Sequence, residues 1–253
     1  MHFIIHFIIF ISIFIIYCHC LNQTTIKFFN NVYQINFINN ENLQNTCSLF
    51  KPFVFEYNNY NNSECVNFLQ NNNFFKYNVF NMSDKKITTL SYKKFNKFIE
   101  NNKSNFYSYN NFFNISLLDN YSIKNITNDF VPPFSTFTKF DIIMGSSNSY
   151  TPLLSHKNYS CFFILLSGKA KSIVINNTIQ NKYNFDKDSI WKKKNSNNIK
   201  IKLIKNTVLY MPPYHYNSFN FLTNNTIILA IYFDTFTSTG INFCKNFVKK
   251  INT

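Results

Sequence analysis

Side chains able to do chemistry are scarce in this chain of 253 residues, which carries five His, six Cys and 11 acidic residues. His2, His6 and His19 belong to an apolar N-terminal run, so His156 and His215 are the imidazoles left for the body of the protein. An imidazole can act as general base, proton shuttle or metal ligand. A zinc site needs three or four nitrogen, sulfur or carboxylate ligands, and no carboxylate lies near either His in sequence. Each of the two therefore reads as a satisfied or exposed imidazole. Of the thiols, Cys18 and Cys20 go with the N-terminal run and Cys47, Cys65, Cys161 and Cys244 remain. Cys47 and Cys65 lie in polar, loop-like sequence and are the disulfide candidate for an oxidising compartment. Cys161 sits inside an apolar run and reads as a buried free thiol.

Both His flank stretches that read as strands. Residues 206–234 contain the apolar run Val208 to Met211, a Pro212-Pro213 stop, an extended Ser218 to Leu222, an Asn224-Asn225 turn and a final β-branched run, Ile227 to Phe233. Residues 141–175 supply a strand ending at Gly145, the run Tyr159 to Leu166, a Ser167-Gly168 turn and Lys169 to Ile175. Phe137, Phe140, Phe162, Phe163, Phe219, Phe221 and Phe233 fall in these strands and are expected in the core. Upstream, Ser63 to Gln70 reads as a short helix and Tyr77 to Asn81 as a strand. Ser91 to Ile99 reads as a helix with Phe95, Phe98 and Ile99 on one face.

With 45% hydrophobic residues, 32 Phe and 16 Tyr, the chain has ample material to bury and is expected to fold around one core. The net charge of +14 comes entirely from Lys. Arg is the preferred bidentate reader of guanine and phosphate, and its absence argues against a nucleic-acid partner and for a solvated Lys-rich surface. The Lys- and Asn-rich insertion 180–199 around Trp191 is expected to be a solvated loop.

Phe3 to Tyr17 is an apolar run of about 15 residues, the length of a signal-peptide h-region, with a cleavage site expected after Cys20. The alternative is an uncleaved anchor holding a luminal domain. Sequons at Asn22, Asn61, Asn81, Asn114, Asn125, Asn158 and Asn224 agree with entry into the secretory pathway.

The order of these elements resembles a JmjC or cupin-8 protein. Thr151-Pro152-Leu153 before the strand at Tyr159, the Pro212-Pro213 corner, and Lys51-Pro52-Phe53-Val54-Phe55-Glu56 all carry the likeness. Phe130-Val131-Pro132-Pro133-Phe134 resembles the catalytically degenerate, endoplasmic-reticulum-lumen branch of that family. The resemblance implies a mainly β fold, a cupin-like double-stranded β-helix (jelly roll) with a flanking α+β N-terminal region. It divides the chain into a signal peptide or anchor at 1–20, the α+β part at 21–135, the jelly-roll core at 136–236 and a basic C-terminal helix or tail at 237–253.

Active members of that family hold Fe(II) with His-x-Asp and a distal His, and bind 2-oxoglutarate beside it. Carried over residue by residue, Leu154 stands at the first His, His156 at the Asp and Asn217 at the distal His, with His215 nearby. The co-substrate Lys falls on Ala170, flanked by Lys169 and Lys171 on the opposite face. Thr151 keeps the hydroxyl that some members direct at the co-substrate, and Tyr214 and Tyr216 complete a possible ligand pocket. The implied function is a pseudo-oxygenase of the secretory lumen with no cofactor, binding a protein or small-molecule partner. It touches a membrane only through the N-terminal segment. Two alternatives stand: a working Fe(II)/2-oxoglutarate hydroxylase, which requires His156 and His215 to converge, and a small-ligand cupin with a mouth lined by Tyr150, Tyr214 and Tyr216.

Overall fold

The structure, a computed structural model, describes residues 2–24, 27, 29–71, 75–82, 86–101, 105–109, 111, 113–114, 121–175, 191 and 198–251, with backbone only at 2–3, 19–24, 70, 100–101, 113–114, 121 and 244–251. It is mainly β. The chain begins with helix α1 (His2–Thr24), then β1 (Tyr33–Asn36), α2 (Asn40–Cys47), β2 (Phe53–Glu56), α3 (Asn62–Asn71), β3 (Tyr77–Asn81) and β4 (Ile87–Leu90). There follow α4 (Tyr92–Asn101), β5 (Phe106–Ser108), β6 (Phe113–Asn114) and α5 (Tyr121–Phe130). The second half is nearly all strand: β7 (Ser135–Gly145), β8 (Leu154–Ser155), β9 (Ser160–Ser167), β10 (Ala170–Ile175), β11 (Asn198–Leu203), β12 (Thr207–Met211), β13 (Tyr216–Phe221) and β14 (Thr226–Thr235), closed by α6 (Phe236–Ile251).

Two sheets result. The larger has the order β1-β2-β12-β9-β14-β7-β5-β3-β4, with β6 also on β7, and the smaller has β11-β10-β13-β8. Among the described residues only β1 and β2 pair in parallel; every other neighbouring pair is antiparallel. The four middle strands of the larger sheet, β12, β9, β14 and β7, come from the second half of the chain. Strands of the first half extend that sheet at both ends.

Because side chains alternate along a strand, the larger sheet feeds two cores. Phe140, Ile142, Met144, Phe162, Ile164, Leu229 and Ile231 face α2, α3, α4 and α5, and Phe130 of α5 lies 4.8 Å from the ring of Phe162. Ile143, Phe163, Leu165, Leu209, Ile228 and Ala230 face the smaller sheet and meet its Ala170, Val174, Phe219 and Phe221. Full burial of each large apolar side chain is worth about 1.5–3 kcal/mol. These two cores hold the sheets face to face.

Local chemistry sets the corners. Gly168 turns β9 into β10 with φ 78, and a Cβ there would come within 2.9 Å of the Thr226 backbone. Asn225 takes the left-handed φ of 56 between β13 and β14, as the Asn-Asn turn requires. Asn39 caps α2 by accepting from the Asn42 N–H at 2.9 Å.

The expected helix at Ser91 to Ile99 appears as α4, with Phe95 and Ile99 buried. Helices α2 and α5 were not expected, because their Asn-rich sequences have weak helix propensity and gain order from packing. The Cys47–Cys65 pairing is corrected. Both are free, buried thiols, placed by α2 and α3 on the inner faces of those helices, not in loops. Cys161 is buried and free, as read from its strand. The side chain of Cys244, residues 117–120, and all of 180–199 except Trp191 and the first residues of β11 lie outside the described residues. Among the described residues no helix is long and apolar enough to cross a membrane. Those of α1 whose side chains are described, from Ile4 to Cys18, are all exposed.

Candidate functional site at the end of the smaller sheet

Leu154 and Asn217 are direct antiparallel partners on β8 and β13, and such partners share a face. Val174 of β10 flanks Asn217 on the other side and belongs to the core between the sheets, so this face is the inner one. Just beyond β8, the His156 carbonyl accepts the Tyr214 N–H at 2.8 Å. Tyr214 is in a left-handed conformation, φ 63, as the chain comes round from the Pro212-Pro213 corner, and His215 is within electrostatic reach of His156. The His156 ring lies 5.7 Å from the Tyr232 ring of β14, and the His215 ring 5.5 Å from Phe29, both members of the inter-sheet core.

The electrostatics of this cluster are those of neutral imidazoles. Burial pushes His156 down to about 3, and the neighbouring His215 acts in the same direction. Burial lowers His215 as well. His215 Nδ1 donates to the Pro213 carbonyl at 3.0 Å, which fixes the proton there and leaves Nε2 as a bare acceptor. That Nε2, both ring nitrogens of His156 and both amide atoms of Asn217 are buried with no well-formed hydrogen bond. The backbones of Asn158 and Met211 approach His156 only closely enough to oppose the shift weakly. Buried polar atoms left in this state cost about 1–3 kcal/mol each.

Next to His156, Tyr232 hydrogen-bonds the Cys161 thiol, whose cross-strand partner on β12 is Met211. Burial holds both the thiol and the phenol far above their ordinary values. They therefore stay protonated.

This end of the inter-sheet space does not suit Fe(II). Of the three carried-over positions, Leu154 has no donor and Asn217 is an amide, and no carboxylate replaces the missing one. Among the described residues no group of three or more His, Cys, Asp and Glu could hold a metal ion. His215 is near enough to act electrostatically on His156, whereas the hydroxylase alternative requires both imidazoles to converge on one ion. The co-substrate positions are equally spent. Thr151 Oγ1 accepts from the Phe219 N–H at 3.0 Å and its carbonyl accepts from Ser218 Oγ at 2.7 Å, tying the loop to β13. Ala170 faces the core, whereas Lys169 and Lys171 are exposed.

The tyrosine-lined mouth is not built. Tyr216 pairs with Ser155, one residue out of phase with Asn217, and so takes the outer face of the smaller sheet. Tyr150 forms an isolated bridge with Asn220, and Tyr214 lines a cleft of about 10 Å³ with Lys157, Tyr159, Pro213, Ser238 and Ile241, room for about one water. Phe163 and Phe219 fill the space between the sheets, ring to ring at 4.9 Å, and the Phe221 ring presses on Gly145, where a Cβ would meet it at 2.0 Å.

Sequence reasoning missed Phe29, which is buried against His215 and closes the cluster from the N-terminal side. It sits in an Asn-rich stretch with no strand or helix period, so no pattern marked it. Tyr232 and Met211 were read as strand residues without a role, since the register that points them at His156 and Cys161 is a tertiary fact. No family model matches the chain, and no curated protein matches it.

Proposed function

We propose that the protein is a catalytically degenerate JmjC-like cupin of the secretory lumen, a pseudo-oxygenase that serves as a binding or scaffold module for a protein or small-molecule partner. The jelly-roll reading is supported by the alternation of the last eight strands. β7, β9, β12 and β14 enter one sheet and β8, β10, β11 and β13 the other, the interleaving expected of a double-stranded β-helix. The observation that carries the loss of catalysis is the ladder pair Leu154–Asn217. The register sets these two on the inner face at one strand end; on the JmjC reading they are the iron-ligand positions, and neither side chain can serve as an anionic or imidazole ligand. The exposed apolar α1, with small residues before Leu21, supports passage into the secretory pathway. Fold alone names no partner.

The test is turnover of 2-oxoglutarate to succinate by the purified chain supplied with Fe(II), ascorbate and oxygen. The proposal expects no succinate above the enzyme-free blank. Succinate formed in proportion to protein, and lost in a His156→Ala variant, would overturn it.

A further inference from the structure

Among the described residues outside α1, four phenylalanines remain exposed, and the fold gathers them at one end of the molecule. Phe134 is 82% exposed, Phe236 73%, Phe243 71% and Phe137 46%. Ser135 and Thr235 are ladder partners on β7 and β14, so Phe134, just before the one, and Phe236, just after the other, leave the sheet from the same row. Phe137 pairs with Asp234 a little further in. The Thr136 and Thr239 hydroxyls meet at 3.3 Å and join α6 to this edge.

Helix α6 has two unlike sides. Ser238 is buried, Ile241 lines the cleft beside Tyr214, and Asn242 Nδ2 donates to the Lys157 carbonyl at 3.2 Å, so that side packs on the barrel end. Phe236 and Phe243, seven residues and about two turns apart, share the other side. Between them Gly240 has nothing within 4 Å of where a Cβ would be, so this side is open. The second half of α6 carries Lys245, Lys249 and Lys250. Lys139 Nζ lies 5.1 Å from the Phe137 ring. The backbone at Phe134 is left-handed, φ 59, a strained state for an aromatic residue that holds its ring out from the turn after Pro132-Pro133.

We propose that this aromatic end is a docking surface for a phospholipid bilayer, with α6 lying along the interface, its phenylalanines at the acyl boundary and the lysines that flank them, Lys139 and Lys250, at the phosphates. Two observations favour lipid over a protein partner. The helix that carries Phe236 and Phe243 also contacts α1, which is itself apolar and exposed on every described side chain. The flanking positive charge is wholly Lys, suited to many mobile phosphates, with no Arg fork for a fixed carboxylate. All four phenylalanines follow Cys20 and stay with the chain if the leader is removed.

The full chain carrying Phe243→Trp, compared under selective indole excitation with the parent whose only tryptophan is Trp191, is added to phosphatidylcholine–phosphatidylserine vesicles with and without brominated acyl chains. The expected result is that the additional emission shifts to the blue and is quenched several-fold by the bromolipids. Adding Phe134→Ser and Phe236→Ser, both at exposed positions, is expected to remove that quenching. Additional emission untouched by bromolipids overturns the proposal, even if α1 holds the chain on the vesicles. A blue shift that depends on protein concentration without any lipid marks contact between copies and overturns it as well.

Discussion

His156 is a base that the fold has switched off. Its imidazole is enclosed beside His215, Tyr232 and Met211, and its affinity for a proton is pushed down to about 3 from the ordinary 6.5. Between these two values the unfolded chain binds a proton that the folded chain refuses, so stability rises with pH across that window and is lost as pH falls from about 6.5 toward 3. The slope for one such group is at most about 1.4 kcal/mol per pH unit, and His215, lowered by burial, adds to it in the same direction. Urea midpoints measured at pH 7 and pH 5 are expected to drop on acidification, and a His156→Gln variant to drop less. Cys47, Cys65 and Cys161 are protected in the same way. Burial pushes the Cys65 thiol up to about 12 and the other two further. A thiol-specific chromogenic reagent is therefore expected to leave all three unmodified in the native protein and to react with them in denaturant. Modification of Cys47 or Cys65 in the native state, or recovery of a Cys47–Cys65 bridge by mass spectrometry, would contradict their placement.

At the level of elements, the close approach of β7 and β13 rests on Gly145. A Cβ there would lie 2.0 Å from a Phe221 ring atom in a packed interior. Gly145→Ala is expected to cost about 2–3 kcal/mol, the scale of an overpacked core. Combining it with Phe221→Leu should recover part of that loss in a denaturant titration. The apolar, β-branched strands β9, β10, β12 and β14 could be read from sequence because period and composition agree there with the tertiary outcome. The same holds for the Gly168 and Asn225 turns, where one backbone conformation selects the residue. Helices α2 and α5 could not be read, since NENLQNTC and YSIKNITNDF are ordered by burying Leu43, Cys47, Ile123, Ile126 and Phe130 against the larger sheet. The site was half legible. The family resemblance pointed to Leu154, His156 and Asn217, but the bend at Tyr214 that brings His215 toward His156 depends on a left-handed φ at a Tyr. Phe29 reaches the cluster across more than a hundred residues of chain.

On the scale of the molecule, the first half of the chain is built into the second. β1 and β2 continue the larger sheet past β12, β5, β3 and β4 continue it past β7, and four helices cover its outer face. The smaller sheet closes the other face over Phe163, Phe219 and Phe221, and the buried cluster around His156 lies at its strand end. The proposal that this place corresponds to the JmjC metal site with its ligands replaced can be tested by putting them back. The measurement is a calorimetric titration of Mn²⁺, then 2-oxoglutarate, into the parent and into a Leu154→His/His156→Asp/Asn217→His variant shown by circular dichroism to be folded. The account predicts no saturable heat from the parent and Mn²⁺ binding at micromolar affinity by the variant. Mn²⁺ and 2-oxoglutarate binding by the parent, or a folded variant that binds no metal, would contradict it.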